Sequence, residues 1–203
     1  MTKQYDNSLL NYFIRQCKNP SGMIGSKMTA IWNNTFRNMT YWGIQKIQFS
    51  CNDYILDIGC GGGAAVNKFA EFVSENGKVY GIDISTVAVR NSQKKNRIHI
   101  QRNKVKILQS SVEKLPFSAD MFDKIFAVQT HIYWRNIEQG LSEILRILKP
   151  NGNLYIICEK DKIAYHLQKY ESSSKMVELL KHIGFSAIEY NENRNWIEYI
   201  CVK

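Results

Sequence analysis

A glycine-rich turn that directly follows an apolar segment constrains this chain more than any other feature. Residues 55–63 read ILDIGCGGG, so two apolar residues lead to Asp57 and four glycines then occur within five positions. A turn of this kind between a strand and a helix brings backbone N–H groups close to a ligand at the N-terminus of the helix. The segment therefore predicts the first strand, ligand-binding turn and helix of an α/β fold.

Strand and helix patterns alternate from residue 45 onward. This alternation predicts a Rossmann-like, doubly wound α/β sheet with helices on both faces, whose ligand lies beyond the carboxyl ends of the strands. The predicted strands are 53–59, 77–85, 104–111, 121–130 and 152–159, followed by an antiparallel pair at 186–192 and 195–203, and the predicted helices are 63–76, 85–98, 136–150 and 173–185.

A chain of 203 residues predicts a single domain. We divide it into an N-terminal helical cap over residues 1–44 and a Rossmann-like domain over 45–203. No signal peptide or membrane span is predicted. The five cysteines are scattered without metal-site spacing, which predicts reduced thiols in the cytoplasm and no bound metal.

The net charge of +9 has two interpretations. A basic surface attracts nucleic acid, and residues 94–106 contain six lysines and arginines. The alternative is charge that is spread over solvated faces. The run has no clustered aromatic residues for base stacking, and it lies between a helix and the third strand, away from the predicted ligand edge. Nucleic acid binding is thus open but not favoured.

The glycine spacing alone leaves two cofactors open. Gly59, Gly61 and Ala64 satisfy the dinucleotide fingerprint, and Asp83 ends the second strand, where a carboxylate binds ribose hydroxyls. Asp57 argues against NAD, because a pyrophosphate over this turn would meet a nearby negative charge. S-adenosylmethionine has no phosphate, and its ammonium and sulfonium groups favour a carboxylate. We therefore favour S-adenosylmethionine.

Four ordered motifs also resemble those of the class I S-adenosylmethionine-dependent methyltransferases. They are ILDIGCGGG, VYGIDIS, SSVEKLPFSADMFDKIFAV and EILRILKPNGNLYI. The N-terminal segment is similar to a small-molecule, methyltransferase-11-like subgroup in which it closes over the cofactor. The resemblance implies seven strands, of which the last is antiparallel. It also implies these cofactor-binding residues: Asp57, Gly59, Cys60, Gly61, Asp83, Ile84, Ser111, Val112 and Gln129.

The loop after the fourth strand is the predicted place for acceptor chemistry. His131 is a candidate general base, and Tyr133 is a second candidate catalytic residue. Tyr12, Trp42 and Trp134 are the aromatic candidates for the acceptor pocket. The resulting prediction is methyl transfer to a small molecule, whose acceptor atom is undetermined, by a monomer or homodimer. An RNA methyltransferase and, less favoured, a nicotinamide-dependent oxidoreductase are the alternatives.

Overall fold

Seven strands form one mixed sheet in the computed structural model, which describes residues 21–203. Their order across the sheet is β3-β2-β1-β4-β5-β7-β6. The first five strands pair in parallel, whereas β7 pairs antiparallel with both β5 and β6. Their bounds are β1 Tyr54–Ile58, β2 Lys78–Asp83, β3 Val105–Gln109, β4 Phe122–Val128, β5 Leu148–Glu159, β6 Ala187–Glu192 and β7 Trp196–Val202. The predicted seven-stranded, Rossmann-like α/β sheet is confirmed.

Eight α-helices connect or flank these strands in the described part of the chain. Two short 3-10 helices, His131–Tyr133 and Gln168–Tyr170, complete the regular structure there. The α-helices are α1 Gly22–Thr35, α2 Arg37–Ile44, α3 Ala64–Phe72, α4 Thr86–Lys95, α5 Arg97–Gln101, α6 Ile137–Ile147, α7 Lys160–His166 and α8 Ser173–Ile183. None of these helices is long and apolar enough to cross a membrane.

Apolar side chains form two core clusters, one on each face of the sheet. On the first face, Phe69 of α3 stacks on Phe126 of β4, with ring centroids 4.4 Å apart. On the second face, Leu141 and Ile144 of α6 pack with β-strand residues and with Leu180 of α8. Strands that are buried on both faces account for the nearly continuous apolar segments of the sequence.

Polar side chains fix the starts of two helices close to the carboxyl edge of the sheet. The Ser85 hydroxyl accepts a hydrogen bond from the N–H of Ala88 at the start of α4. The Asn136 side chain accepts one from the N–H of Gln139 at the start of α6. These N-caps satisfy backbone donors that have no partner within the helix, and they set where each helix begins beside the edge.

The structure differs from the sequence-based prediction in three segments. The helix predicted over 85–98 breaks at Asn96, whose buried amide donates to the carbonyl oxygens of Gly63 and Ser92. The helix predicted over 136–150 ends at Ile147, and the strand predicted over 152–159 begins at Leu148, because Leu148 already pairs with Phe122 of β4. Helix α7 was not predicted, because its seven residues are too few for a clear apolar period.

Candidate functional site

A cavity of about 900 Å³ opens at the carboxyl edge of the sheet. Its floor consists of the loops that follow β1, β2, β3 and β4, and residues of α2, α3 and α7 contribute to its walls. The volume lies near the upper end of the range for small-molecule sites, which is about 300–1,000 Å³. A parallel sheet places its ligands at this edge, so the cavity is the candidate site.

The glycine turn forms the centre of the cavity floor. The backbone N–H groups of Gly59 and Cys60 both donate to the carbonyl oxygen of Ile82, at 2.8 and 2.9 Å, and tie the turn to β2. Gly59 has a φ of +71°, and a Cβ there would lie 2.4 Å from Cγ2 of Thr130. Gly61 has a φ of +51°, and a Cβ there would meet no atom within 4 Å. Gly59 is therefore required by packing, whereas Gly61 borders open ligand space.

Asp83 connects the end of β2 to the glycine turn. Its Oδ2 accepts a hydrogen bond from the N–H of Gly61 at 3.0 Å, and its Oδ1 accepts one from the N–H of Ser85 at 2.9 Å. Burial raises the pKa of Asp83, although these hydrogen bonds to the carboxylate lower it. The carboxylate thus lies on the cavity wall in a fixed orientation and retains lone pairs for a ligand.

Asp57 is a second buried carboxyl group on the same wall. It lies at the tip of β1 and is 3% exposed. Burial, and then the negative charge of Asp83, raise the pKa of Asp57 to about 8. A buried carboxyl group with this environment is stabilised in its ionised form by a cation. The floor of the cavity therefore fits a ligand that carries a positive charge.

The loop after β3 forms one end of the cavity. Ser111 and Val112 border it, and the Ser111 hydroxyl donates to Oε2 of Glu113. Glu113 Oε1 accepts from the N–H of Arg135 at 2.9 Å. Partial burial raises the pKa of Glu113, but the hydrogen bonds from Ser111 and from backbone N–H groups lower it below its usual value. Ile84 is 48% exposed and also borders the cavity.

The loop after β4 brings Tyr133 and Trp134 to the cavity but not His131. The ring of His131 is fully buried, and neither ring nitrogen has a hydrogen-bond partner among the described residues. Burial lowers the pKa of His131 to about 4, so the imidazole is neutral at pH 7. The geometry therefore gives His131 no access to a bound acceptor.

Gln129, at a φ of +58°, borders the cavity at the end of β4.

The structure also separates Trp42 from the main cavity. Trp42 lines a second, shallower depression of about 610 Å³, where its ring lies 5.8 Å from the ring of Trp196. Tyr12 lies outside the described residues. Phe36, which directly precedes α2, Thr40 of α2 and Lys162 of α7 also border the main cavity, although none of the three was predicted from the sequence to do so. The aromatic composition of residues 1–44 was a signal for α2, but no local pattern indicated Lys162.

No group of three or more histidine, cysteine, aspartate or glutamate side chains that could hold a metal ion occurs within residues 21–203. Acidic groups, glycine N–H groups and aromatic rings instead line the cavity. The fold and this site together define a nucleoside-cofactor-binding α/β protein. Open space over Gly61, a fixed carboxylate at Asp83 and a buried carboxyl group at Asp57 fit S-adenosylmethionine, which carries ribose hydroxyls and positive charges.

Comparisons with known proteins agree with this fit. A family profile described as "Methyltransferase domain" matches residues 56–156. The uncharacterized methyltransferase YdaC of Bacillus subtilis is 25% identical over 82% of this chain and 88% of its own length. An O-methyltransferase of Pyrenophora dematioidea is 26% identical over 80% of this chain, which spans 65% of that relative.

The fold is also found in solved structures. A SAM-dependent methyltransferase from Aquifex aeolicus superposes with a TM-score of 0.72 at 20% identity, over 87% of this chain and 97% of that one. The chain belongs to the class I S-adenosylmethionine-dependent methyltransferases. It is an enzyme, its cofactor is S-adenosylmethionine, and its reaction is methyl transfer.

Proposed function

We propose that the cofactor lies along the edge from β3 to β1 and that a small organic molecule accepts the methyl group beside it. Asp83 accepts hydrogen bonds from the ribose hydroxyls, and Asp57 pairs with the methionine ammonium. Gly59 and Gly61 allow the backbone to approach the methionine portion, and Cys60 fills space within the turn. Ile84, Ser111 and Val112 contact the adenine.

The observation that carries this proposal is the position of Asp57 beside Asp83 in a buried wall. A cation beside these two carboxyl groups stabilises the ionised form of Asp57, whereas a pyrophosphate would add negative charge to the same wall, and the raised pKa of Asp57 results from that burial and charge. The environment therefore favours a sulfonium cofactor over a dinucleotide.

Gln129 has a structural role in the proposed site. Its Nε2 donates to Oε2 of Glu159 at 3.1 Å, and its Oε1 accepts from the N–H of Glu159 at 2.9 Å.

Residues 1–44, which we predicted to form a cap, contribute α1 and α2 to the described structure. Thr40 and Tyr41 of α2 border the cavity. In α1, the Ser26 hydroxyl is hydrogen-bonded to the side chain of Asn91 on α4. We infer that these helices cover the cofactor and exclude water from the reacting atoms. The sulfonium donor is already activated, so this exclusion and the alignment of the acceptor are the main tasks of the protein.

The basic segment at 94–106 runs from the end of α4 to the beginning of β3. Its end at β3 lies at the amino edge of the sheet, away from the carboxyl ends, whereas Lys95 at its start borders the cavity. Since only this one lysine of the segment reaches the cavity, the position supports a small acceptor rather than RNA. The four cysteines in the described part of the chain are free, which supports action in the cytoplasm. The proposal covers a monomer or a homodimer.

Calorimetric titration with S-adenosylmethionine, S-adenosylhomocysteine and NAD tests the cofactor proposal. We expect the first two to bind with micromolar or tighter affinity and NAD to show no measurable binding, because its pyrophosphate supplies no positive charge to the buried Asp57 and adds negative charge beside it. A mixture of the protein, a labelled methyl donor and acceptor candidates then reports turnover. Binding of NAD with an affinity equal to that of S-adenosylmethionine would contradict the role of Asp57.

Replacement of Asp83 by asparagine tests the ribose contact. We expect the affinity for S-adenosylhomocysteine to fall roughly 10- to 100-fold, because hydrogen bonds to a charged group contribute about 1.5–3 kcal/mol. The matched control is Asp120→Asn, at an exposed aspartate that pairs with Lys203 at 2.7 Å and does not border the cavity. The role of Asp83 is wrong if both variants bind equally well while remaining folded by circular dichroism.

A further inference from the structure

The strand order divides the cavity into two parts. The loops after β3, β2 and β1 carry Ser111, Asp83 and Gly61, which we assign to the cofactor. The loop after β4 carries Tyr133, and α7, which follows β5, carries Lys162. Because β4 lies next to β1 on the side opposite β2, and β5 lies beyond β4, this second part is adjacent to the methionine end of the cofactor. If the proposed function holds, the acceptor binds there.

Helix α7 places an ammonium group beside an aromatic wall. Ile163 anchors α7 in the core with 3% exposure, and Lys162 borders the cavity. His166 lies four residues after Lys162, on the same side of the helix. Its ring packs edge-on against Tyr133, with centroids 5.0 Å apart and an interplanar angle of 67°. The helix thus fixes both the Tyr133 ring and the direction from which Lys162 enters the cavity.

The hydrogen bonds of this part leave Lys162 available to an acceptor. The Lys162 ammonium pairs with the carboxylate of its neighbour Asp161 at 3.4 Å, and the two side chains are 43% and 74% exposed. An exposed pair of this kind is weak and readily exchanged. Gln129, by contrast, uses both ends of its amide with Glu159. The Lys162 ammonium is therefore free to bind an acceptor atom, whereas both ends of the Gln129 amide are already hydrogen-bonded to Glu159.

We propose that Lys162 binds the oxygen of an acidic hydroxyl, a phenol or an enol, and holds it as the oxyanion for O-methylation. The hydroxyl proton passes to solvent before the transfer. A lone pair of the oxyanion forms the bond to the methyl carbon, and the electron pair of the methyl–sulfur bond returns to sulfur. The negative oxygen and the positive sulfonium become a neutral ether and a neutral thioether. Tyr133 and Trp134 fit the planar body of this acceptor.

The ionisation of a chromogenic phenol tests this assignment. The probe is 4-nitrophenol, whose phenolate absorbs visible light, added to protein saturated with S-adenosylhomocysteine and titrated with pH. We expect the pKa of the bound probe to lie at least one unit below that of the free probe, a tenfold change in the ratio of phenolate to phenol. Lys162→Gln removes this shift. Lys160→Gln is the matched control, because Lys160 is on the same helix, pairs with Glu192 and does not border the cavity.

Other ionisable groups lie around this part of the cavity. Those in its lining are Arg37, Tyr41, Asp57, Glu113, Tyr133 and Arg135, and Asp161 and His166 lie beside Lys162 and Tyr133. The difference between the two lysine variants, rather than the wild-type shift, therefore assigns the effect. An unshifted probe, a shift that survives in Lys162→Gln, or no binding of the probe to the loaded protein overturns the inference. Binding of 4-nitrobenzoate with the same loss in Lys162→Gln also overturns it, because Lys162 would then anchor any anion. Retained binding of S-adenosylhomocysteine would leave the proposed function intact.

Discussion

Replacing Asp57 by asparagine is expected to stabilise the ligand-free protein at pH 8. Burial and the charge of Asp83 raise the pKa of Asp57 from 3.8 to about 8, so the folded state binds a proton that the unfolded state has released. The free energy of unfolding therefore falls as the pH rises from about 4 to about 8, by up to about 1.4 kcal/mol per pH unit. Asparagine cannot ionise, so urea unfolding of this variant between pH 5 and pH 8 should show a flatter dependence.

The same substitution is expected to weaken cofactor binding. A cation beside Asp57 favours the ionised carboxylate, so S-adenosylmethionine binding at pH 7 should release a proton from the wild-type protein. Calorimetry in buffers with different ionisation enthalpies measures this release, which should disappear in Asp57→Asn. Asp120→Asn, at an exposed position away from the cavity, should behave as wild type. Equal pH slopes and equal proton release in wild type and Asp57→Asn would refute the assignment.

Alanine at Gly61 and alanine at Gly59 are expected to damage different properties. A Cβ at Gly61 meets no protein atom within 4 Å and enters the ligand space. We expect Gly61→Ala to fold, with a cost of about 1–2 kcal/mol for its positive φ, and to lose at least tenfold in cofactor affinity. A Cβ at Gly59 lies 2.4 Å from Cγ2 of Thr130, so Gly59→Ala adds overpacking of about 1–3 kcal/mol to a similar backbone cost.

Urea unfolding and calorimetric binding separate the two effects. The double variant Gly59→Ala with Thr130→Ser removes the nearest clashing atom, Cγ2, and should recover part of the lost stability. The Thr130→Ser single variant is its control. Normal cofactor binding by Gly61→Ala would refute the ligand space over the turn. Normal stability of Gly59→Ala would refute the tight contact with Thr130.

Features that depend on neighbouring residues could be predicted from the sequence alone. A helix was predicted over 63–76, where Val66, Phe69, Ala70 and Val73 recur with a helical period, and all four side chains are buried. Such a period specifies one apolar side of a helix whatever it packs against. The strands and the glycine turn were also predictable, because β propensity and positive φ angles are local properties. The order of the motifs then predicted the family, which the comparisons confirm.

Which side chains reach the cavity depends on the tertiary structure. His131 and Tyr133 are two residues apart, yet packing buries the first and places the second on the wall. The ring of Trp42 packs against that of Trp196, a strand residue more than 150 positions away. Lys162 reaches the cavity because α7 follows β5, which lies next to β4. The pKa of Asp57 likewise depends on burial by distant segments. Burial and proximity result from contacts between remote parts of the chain, so a local pattern of residues does not contain them.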